Sequence, residues 1–306
     1  MLSVLVSAAV AAATPMTIPG PSGPIAGTFT DAGKGAPVVL IIPGSGSTDR
    51  DGNNPMGVAA APYRLLAEGL AARGVSTLRA DKRGLFESKG AIPDPNKVTI
   101  ADYAGDAHQW AAALRERTGA KCVWLLGHSE GGLIALSAVQ KPADLCGIIV
   151  VAGPGRKLGT VIRDQLKANP ANAPLLAQAN AALDSLEAGN SVDASSLPAP
   201  LQPLFATRVQ PFLMDMLAKD PAALAAQATL PMLIIQGGKD IQVARADAEA
   251  LHAAQPKAKL LILENMNHVL KDVAGDDRAA NIATYADPAL PLDSGLVDAI
   301  AGFVKR

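Results

Sequence analysis

Aromatic side chains make up only 3% of the 306 residues, so the interior has to be filled mainly by Ala, Val, Leu and Ile. That scarcity disfavours the stacking platforms on which single-stranded nucleic acids are held. An excess of either charge is also missing, since 27 basic residues stand against 28 acidic ones for a net charge of −1. No general field therefore draws nucleic acid or anionic membrane to the chain. Cysteine is limited to Cys122 and Cys146. That excludes a disulfide-dense scaffold, and neither residue has a Cys or His at zinc-ligand spacing. Both are expected to be buried apolar filler. Each also opens a predicted strand, and those strands are expected to be neighbours, so a bridge is geometrically open as the alternative.

No run is long enough to cross a bilayer comfortably. The apolar run in "MLSVLVSAAVAAATP" at the start ends in small residues, as a secretory signal cleaved after Ala13 would, although no Lys or Arg precedes it. Residues 1–15 are accordingly expected to be a signal peptide, with export to the periplasm or medium. The alternative is an ordered N-terminal segment of a cytoplasmic protein.

What is present is a hydrophobic content of 49%, enough for a large core. Short runs rich in Val, Ile and Leu recur at 38–42, 75–79, 123–127, 147–151, 232–236 and 259–263 and read as buried strands. Helical spacing lies between them, as in Tyr103, Ala107, Trp110, Ala111 and Leu114. Such alternation predicts a mainly parallel sheet with helices on both faces. "IAGTFT" near residue 27 reads as an early antiparallel edge strand. The alternation breaks once. Residues 154–229 carry Pro-punctuated helical patterns without a clear strand, too long for an ordinary connection. They are expected to form a helical cap leaving the carboxyl edge of a strand, between core segments 16–153 and 230–306.

The stretch "LLGHSEGG" at 125–132 fits Gly-x-Ser-x-Gly, the strained turn from strand to helix that exposes a nucleophilic serine. Serine needs a base to take its proton and an acid to orient the base. Of the four histidines, His128 belongs to the turn itself, and His108 and His252 fall in helical patterns. His268, in "LENMNHVL" after the last strong strand, remains. Asp240 ends "MLIIQGGKD" at the same predicted sheet edge, and Asp272 is the fallback acid. For a developing oxyanion, backbone N–H groups are needed. Glu130 supplies one, and the loop "IIPGSGSTDRDGN" the other, with Ser45 the first choice and Gly44 the second. "DRDGN" lacks the following Gly and distant Glu of a calcium loop, so no metal is expected there.

The order Ser129, Asp240, His268, each after its own strand, is that of the α/β-hydrolase nucleophile-elbow enzymes. Over nearly its whole length the chain resembles an α/β-hydrolase superfamily serine esterase. The likeness is carried by "IPGSGSTDRDGN", "RADKRGLFES", "LLGHSEGGLIA", and "QGGKDIQV" with "MNHVL". It implies a mostly parallel eight-stranded sheet with the cap after strand six, a carboxylesterase acting on a small-molecule ester, and no cofactor. It also implies that Asp81 and Arg83 of "DKRG" brace the floor of the site. Two departures stand out: Pro43-Gly44 replaces the His-Gly of many relatives, and Phe86 stands where glycine is frequent. The same machinery on an amidase or aminopeptidase would need a carboxylate for the substrate amine, for which Glu187 and Asp215 are candidates. A hydrolase-like binding protein without turnover would lack part of the triad.

Overall fold

The structure, a computed structural model, describes residues 12–306. Eight strands form one sheet: β1 (Ala13–Pro19), β2 (Pro24–Thr30), β3 (Val38–Ile42), β4 (Ser76–Ala80), β5 (Val123–His128), β6 (Leu145–Val151), β7 (Met232–Gly237) and β8 (Lys259–Leu263). Their spatial order is β1-β2-β4-β3-β5-β6-β7-β8. β1, β2 and β4 pair antiparallel, and every later pair is parallel. β2 is thus antiparallel as expected but is not the edge, because β1 covers it. The segment read as a signal lies largely outside the described residues, and its last three, Ala13–Pro15, already pair with Thr28–Thr30 of β2.

The parallel strands are apolar throughout because both their faces are covered. Within β3, Val38, Leu40 and Ile42 join one core and Val39 and Ile41 the other, the two-residue period dividing the strand between faces. The first core is closed by α2 (Ile100–Thr118), α3 (Glu130–Ala138), α7 (Pro221–Gln227) and α8 (Arg245–Ala254). The second is closed by α1 (Pro62–Ala72) and α10 (Leu296–Val304). Helix α2 begins at a capping box, Thr99 with Asp102, and ends at Gly119 in the left-handed region, so sequence-local rules set both its ends.

Between β6 and β7 the chain runs through α4 (Leu158–Ala168), α5 (Leu176–Glu187), α6 (Gln210–Leu217) and α7. Ile162, Leu183, Leu186, Phe205, Leu213 and Leu217 there share an apolar cluster of their own. A short helix, α9 (Arg278–Ala283), follows β8 before α10. Among the described residues no helix is long and apolar enough to cross a membrane.

The expectation of free, buried thiols is corrected, because Cys122 and Cys146 form a disulfide. Parallel pairing sets Val123 opposite Leu145, and the register shifts between Val123 and Trp124. Cys122, just before β5, therefore comes within 5.1 Å of Cys146, Cα to Cα, a separation that a bridge spans. It ties the amino ends of β5 and β6 together, at the opposite edge of the sheet from the loops that follow those strands. With a sequence separation of 24 between the half-cystines, loop closure predicts that Cys122→Ser/Cys146→Ser lowers the unfolding free energy by about 3 kcal/mol. Urea unfolding of the two proteins without reductant measures the difference.

Candidate active site

Ser129 stands between β5 and α3 with φ 54° and ψ −124°, a backbone that costs about 1–3 kcal/mol and persists only where its surroundings enforce it. Ser129 N–H donates to the Val151 carbonyl at 3.0 Å, and Ser129 C=O accepts from Gly132 at 2.8 Å. The flanking glycines permit the turn. A Cβ on Gly127 would fall inside the Gly131 carbonyl, and one on Gly131 inside the Ile42 carbonyl. The start of α3 is thereby pressed against the end of β3, where the oxyanion-loop candidates begin.

Asp240 follows β7, and its Oδ2 accepts from Nδ1 of His268 at 2.8 Å. The other oxygen, Oδ1, accepts from the amides of Gln242 at 2.7 Å and Val243 at 2.9 Å. Burial pushes this carboxyl up, but His268 and the two amides outweigh it and hold the group below the usual carboxylate range. Asn267 fixes the loop that delivers His268. Its amide donates to Asn281 at 3.0 Å and Thr284 at 2.7 Å, while its carbonyl oxygen accepts from Lys271 N–H at 3.0 Å. Among the described residues no hydrogen bond joins the Ser129 hydroxyl to His268. Apo sites commonly hold this contact loose, and substrate tightens it.

His128 links the elbow to the histidine loop. Nε2 faces only the His268 carbonyl, at 2.9 Å, so it carries the proton and donates. Nδ1 then accepts from the Tyr63 hydroxyl at 2.8 Å, and the Tyr63 oxygen accepts from Gly44 N–H at 3.0 Å. Burial, reinforced by the neighbouring His268, brings the His128 pKa down to about 3, so the ring stays neutral. One oxyanion candidate is corrected here: the Gly44 amide is engaged by Tyr63. The amides of Ser45 and Glu130 have no protein partner among the described residues. The Glu130 side chain, for which sequence analysis gave no role, is buried with Lys82, whose Nζ donates to Glu130 Oε1 at 2.9 Å and to the Gly44 carbonyl at 2.7 Å.

A family model described as "Serine aminopeptidase, S33" matches residues 56–271, most of the chain and most of this geometry. The chain belongs to that family. Within the S33 serine aminopeptidase family and its α/β-hydrolase fold, it is similar to Esterase EstD of Thermotoga maritima, with 28% identity over 299 residues. That match covers 95% of this chain but only 65% of EstD, so the chain spans somewhat less than two thirds of its relative's length. Among solved structures, the Pyrococcus furiosus esterase Pf2001 superposes with TM-score 0.60 at 16% identity, covering 97% of this chain and 93% of that one. A puromycin-hydrolysing peptidase of Mycobacterium tuberculosis superposes with TM-score 0.59 at 16% identity, covering 96% and 39% respectively.

The remaining candidates of this S33 family member lie apart from the Asp240–His268 pair. Asp272 is hydrogen-bonded to Asp293, and burial together with that second carboxyl raises its pKa to about 6; it is not the partner of His268. Glu187 is bound by Arg163 at 2.8 and 2.9 Å. Asp215 accepts from the first amide of α2 at 2.7 Å and pairs with Lys219 at 3.1 Å. Neither of these carboxylates is free for a substrate amine. Asp81 takes the Arg50 amide at 2.8 Å and the Arg50 guanidinium at 2.8 Å, and Arg83 is bidentate on Asp106 at 2.5 and 2.7 Å. Both residues therefore tie neighbouring segments together, Asp81 to the loop after β3 and Arg83 to α2. Phe86 is 39% exposed and has φ 48°, the left-handed backbone that explains why glycine is frequent at this position. His108 Nε2 donates to the Ala138 carbonyl, 3.0 Å away, on the α2 side of the sheet, and His252 lies on α8.

Sequence reasoning missed Tyr63, Lys82 and the structural part of His128. The signal for two of them was adjacency, since Lys82 sits inside "DKRG" and His128 inside "GHSEG". A histidine whose folded pKa is depressed binds its proton more weakly than in the unfolded chain. Its stabilising contribution is complete above pH 6.5 and is lost as pH falls toward about 3. Chemical denaturation between pH 4 and 7 is expected to show a steep fall in wild-type stability and a shallower one in His128→Gln, which cannot titrate.

Proposed function

We propose that the protein is a serine carboxylesterase, a reading carried by the buried 2.8 Å contact between Asp240 and His268 on the loops that share a sheet edge with the strained Ser129. Asp240 fixes the proton on Nδ1, which leaves Nε2 as the base. The Ser129 hydroxyl adds to the ester carbonyl as its proton passes to Nε2. The resulting oxyanion is stabilised by the amides of Glu130 and Ser45, each such donor being worth about a hundred- to a thousand-fold in rate. Collapse expels the alcohol, which takes the proton from His268, and leaves an acyl-Ser129 ester. Water, deprotonated by the same imidazole, then releases the acid and restores the hydroxyl. This chemistry runs on side chains and backbone alone.

The similarity to EstD supports ester rather than other acyl substrates. The helical segment 154–229 emerges from the end of β6, and its role is that of a cap over the acyl group, consistent with short- to medium-chain acids. The disulfide supports the reading that the chain works in an oxidising compartment, outside the cytoplasm.

A second reading, amide or aminoacyl hydrolysis, is favoured by the description of the family. Against it stand the prior engagements of Glu187 and Asp215, which remove the carboxylates identified for gripping an amine.

Ser129→Ala is expected to lower kcat on nitrophenyl butyrate by at least about 10⁴-fold while leaving the thermal transition in place. Near wild-type turnover in that variant would eliminate the mechanism. Across nitrophenyl esters from acetate to palmitate, kcat/KM is expected to peak at or below medium length. An aminoacyl anilide should be cleaved far more slowly than the matching ester, and the reverse order would favour the second reading.

A further inference from the structure

The two peptide groups that meet at Gly44 are each held by a side chain from elsewhere in the fold. On one side, Gly44 N–H donates to the Tyr63 hydroxyl at 3.0 Å. On the other, Gly44 C=O accepts from Lys82 Nζ at 2.7 Å. Lys82 is itself held: its side chain is 5% exposed, it pairs at 2.9 Å with an equally buried Glu130, and its ammonium lies 5.5 Å from the centre of the Tyr103 ring. Gly44 lies against the nucleophile, since a Cβ added there would be 3.2 Å from the Ser129 Cβ.

In a trans peptide the C=O of one residue and the N–H of the next point in opposite directions. A lysine that draws the Gly44 carbonyl one way therefore turns the Ser45 N–H the other. A buried ion pair is a poor source of stability, because desolving both charges consumes most of their attraction. This pair is also imperfectly satisfied, with Glu130 Oε2 buried and unpartnered among the described residues. Its retention at this position fits a role in geometry.

We propose that Lys82 and Tyr63 are positioning residues, Lys82 locking the Gly44–Ser45 peptide and Tyr63 the Pro43–Gly44 peptide before it, so that the Ser45 N–H is aimed at the oxyanion before substrate arrives. Glu130 then serves twice, its amide as the other donor and its carboxylate as the anchor of Lys82. Neither Lys82 nor Tyr63 touches substrate. The inference rests on the esterase reading of the same site. It adds that the oxyanion hole is preorganised by a charge pair that the chain assembles from the loop after β4 and the first residue of α3.

The test compares Lys82→Met and Tyr63→Phe with wild type on nitrophenyl butyrate, together with inhibition by an aliphatic trifluoromethyl ketone. In the inhibited enzyme the Ser129 oxygen bonds to the ketone carbon, its proton moves to His268, and the negative charge rests on the former carbonyl oxygen. The expected result for Lys82→Met is a kcat reduced about 10- to 100-fold, part of the value of one oxyanion donor, with KM within about two-fold. Ki for the ketone should rise by the same factor as kcat/KM falls, and inhibition by dibutyl ether, which has neither a carbonyl nor a charged oxygen, should stay unchanged. Tyr63→Phe is expected to move the same quantities in the same direction by a smaller factor. If Lys82→Met fails to fold because Glu130 is stranded, Lys82→Met/Glu130→Gln removes the stranded charge and keeps the Glu130 amide. Its kcat and Ki are then the readout.

An active wild type with kcat and Ki unchanged in the lysine variants overturns the clamp and leaves the esterase reading standing. Equal loss of ether and ketone binding would also overturn it, as a general distortion of the pocket. A wild-type enzyme inert to esters and unlabelled by a fluorophosphonate removes the esterase reading, and the clamp with it.

Discussion

A Cβ on Gly131 would occupy the space of the Ile42 carbonyl, and one on Gly127 that of the Gly131 carbonyl. The two missing methyl groups let the first turn of α3 sit directly on the ends of β5 and β3. Much of the rest of the site follows from that contact. Ser129 is forced to φ 54°, the Glu130 amide is left without a partner among the described residues at a helix start, and Gly44 is brought against the Ser129 side chain. Because the sheet is parallel here, the loops after β7 and β8 end at the same edge and bring Asp240 and His268 with them. The hydrogen bonds of Asn267 and His128 then fix where the imidazole arrives.

The polar groups under this edge divide into two kinds. Asp240 is stabilised as an anion by two amides and by His268, and burial there works against the charge without winning. His128 goes the other way: burial keeps it neutral, which fixes its tautomer and lets it join Tyr63 to the His268 backbone. A charged ring at that place would repel His268 and could not accept from Tyr63. The site thus contains two adjacent histidines at a ring separation of 4.7 Å, one protected from titration and one bound to a carboxylate.

Much of the fold was legible because its signals are local. Five-residue β-branched and Leu runs marked β3 and β8 to the residue, and a strand-free interval marked the helical segment. β1 was not marked as a strand because "ATPMTIP" adjoins small residues that also suit a cleavage site, and its pairing partner β2 lies beyond the local pattern. The disulfide turned on a one-residue register shift between β5 and β6, which neither strand's sequence encodes alone. At the site, Ser129, Asp240 and His268 could be proposed because each follows a strand in a fixed order. Tyr63 and Lys82 could not, because α1 and the loop after β4 meet Gly44 only through the strand order β4-β3-β5.

The helices between Val151 and Met232 keep a core of their own, in which Leu183, Leu186 and Phe205 pack with Leu213 and Leu217. The last of them pack on the sheet side, α7 into the first core and α6 against α2 through Asp215, but none of the segment's residues enters the Asp240–His268 or Lys82–Glu130 contacts. The outer helices α4 and α5 can therefore be lengthened or reshaped without disturbing those contacts. Change is cheap in those outer helices, whereas change at Ser129, Asp240 or His268 would require rebuilding the meeting of several strand ends at once.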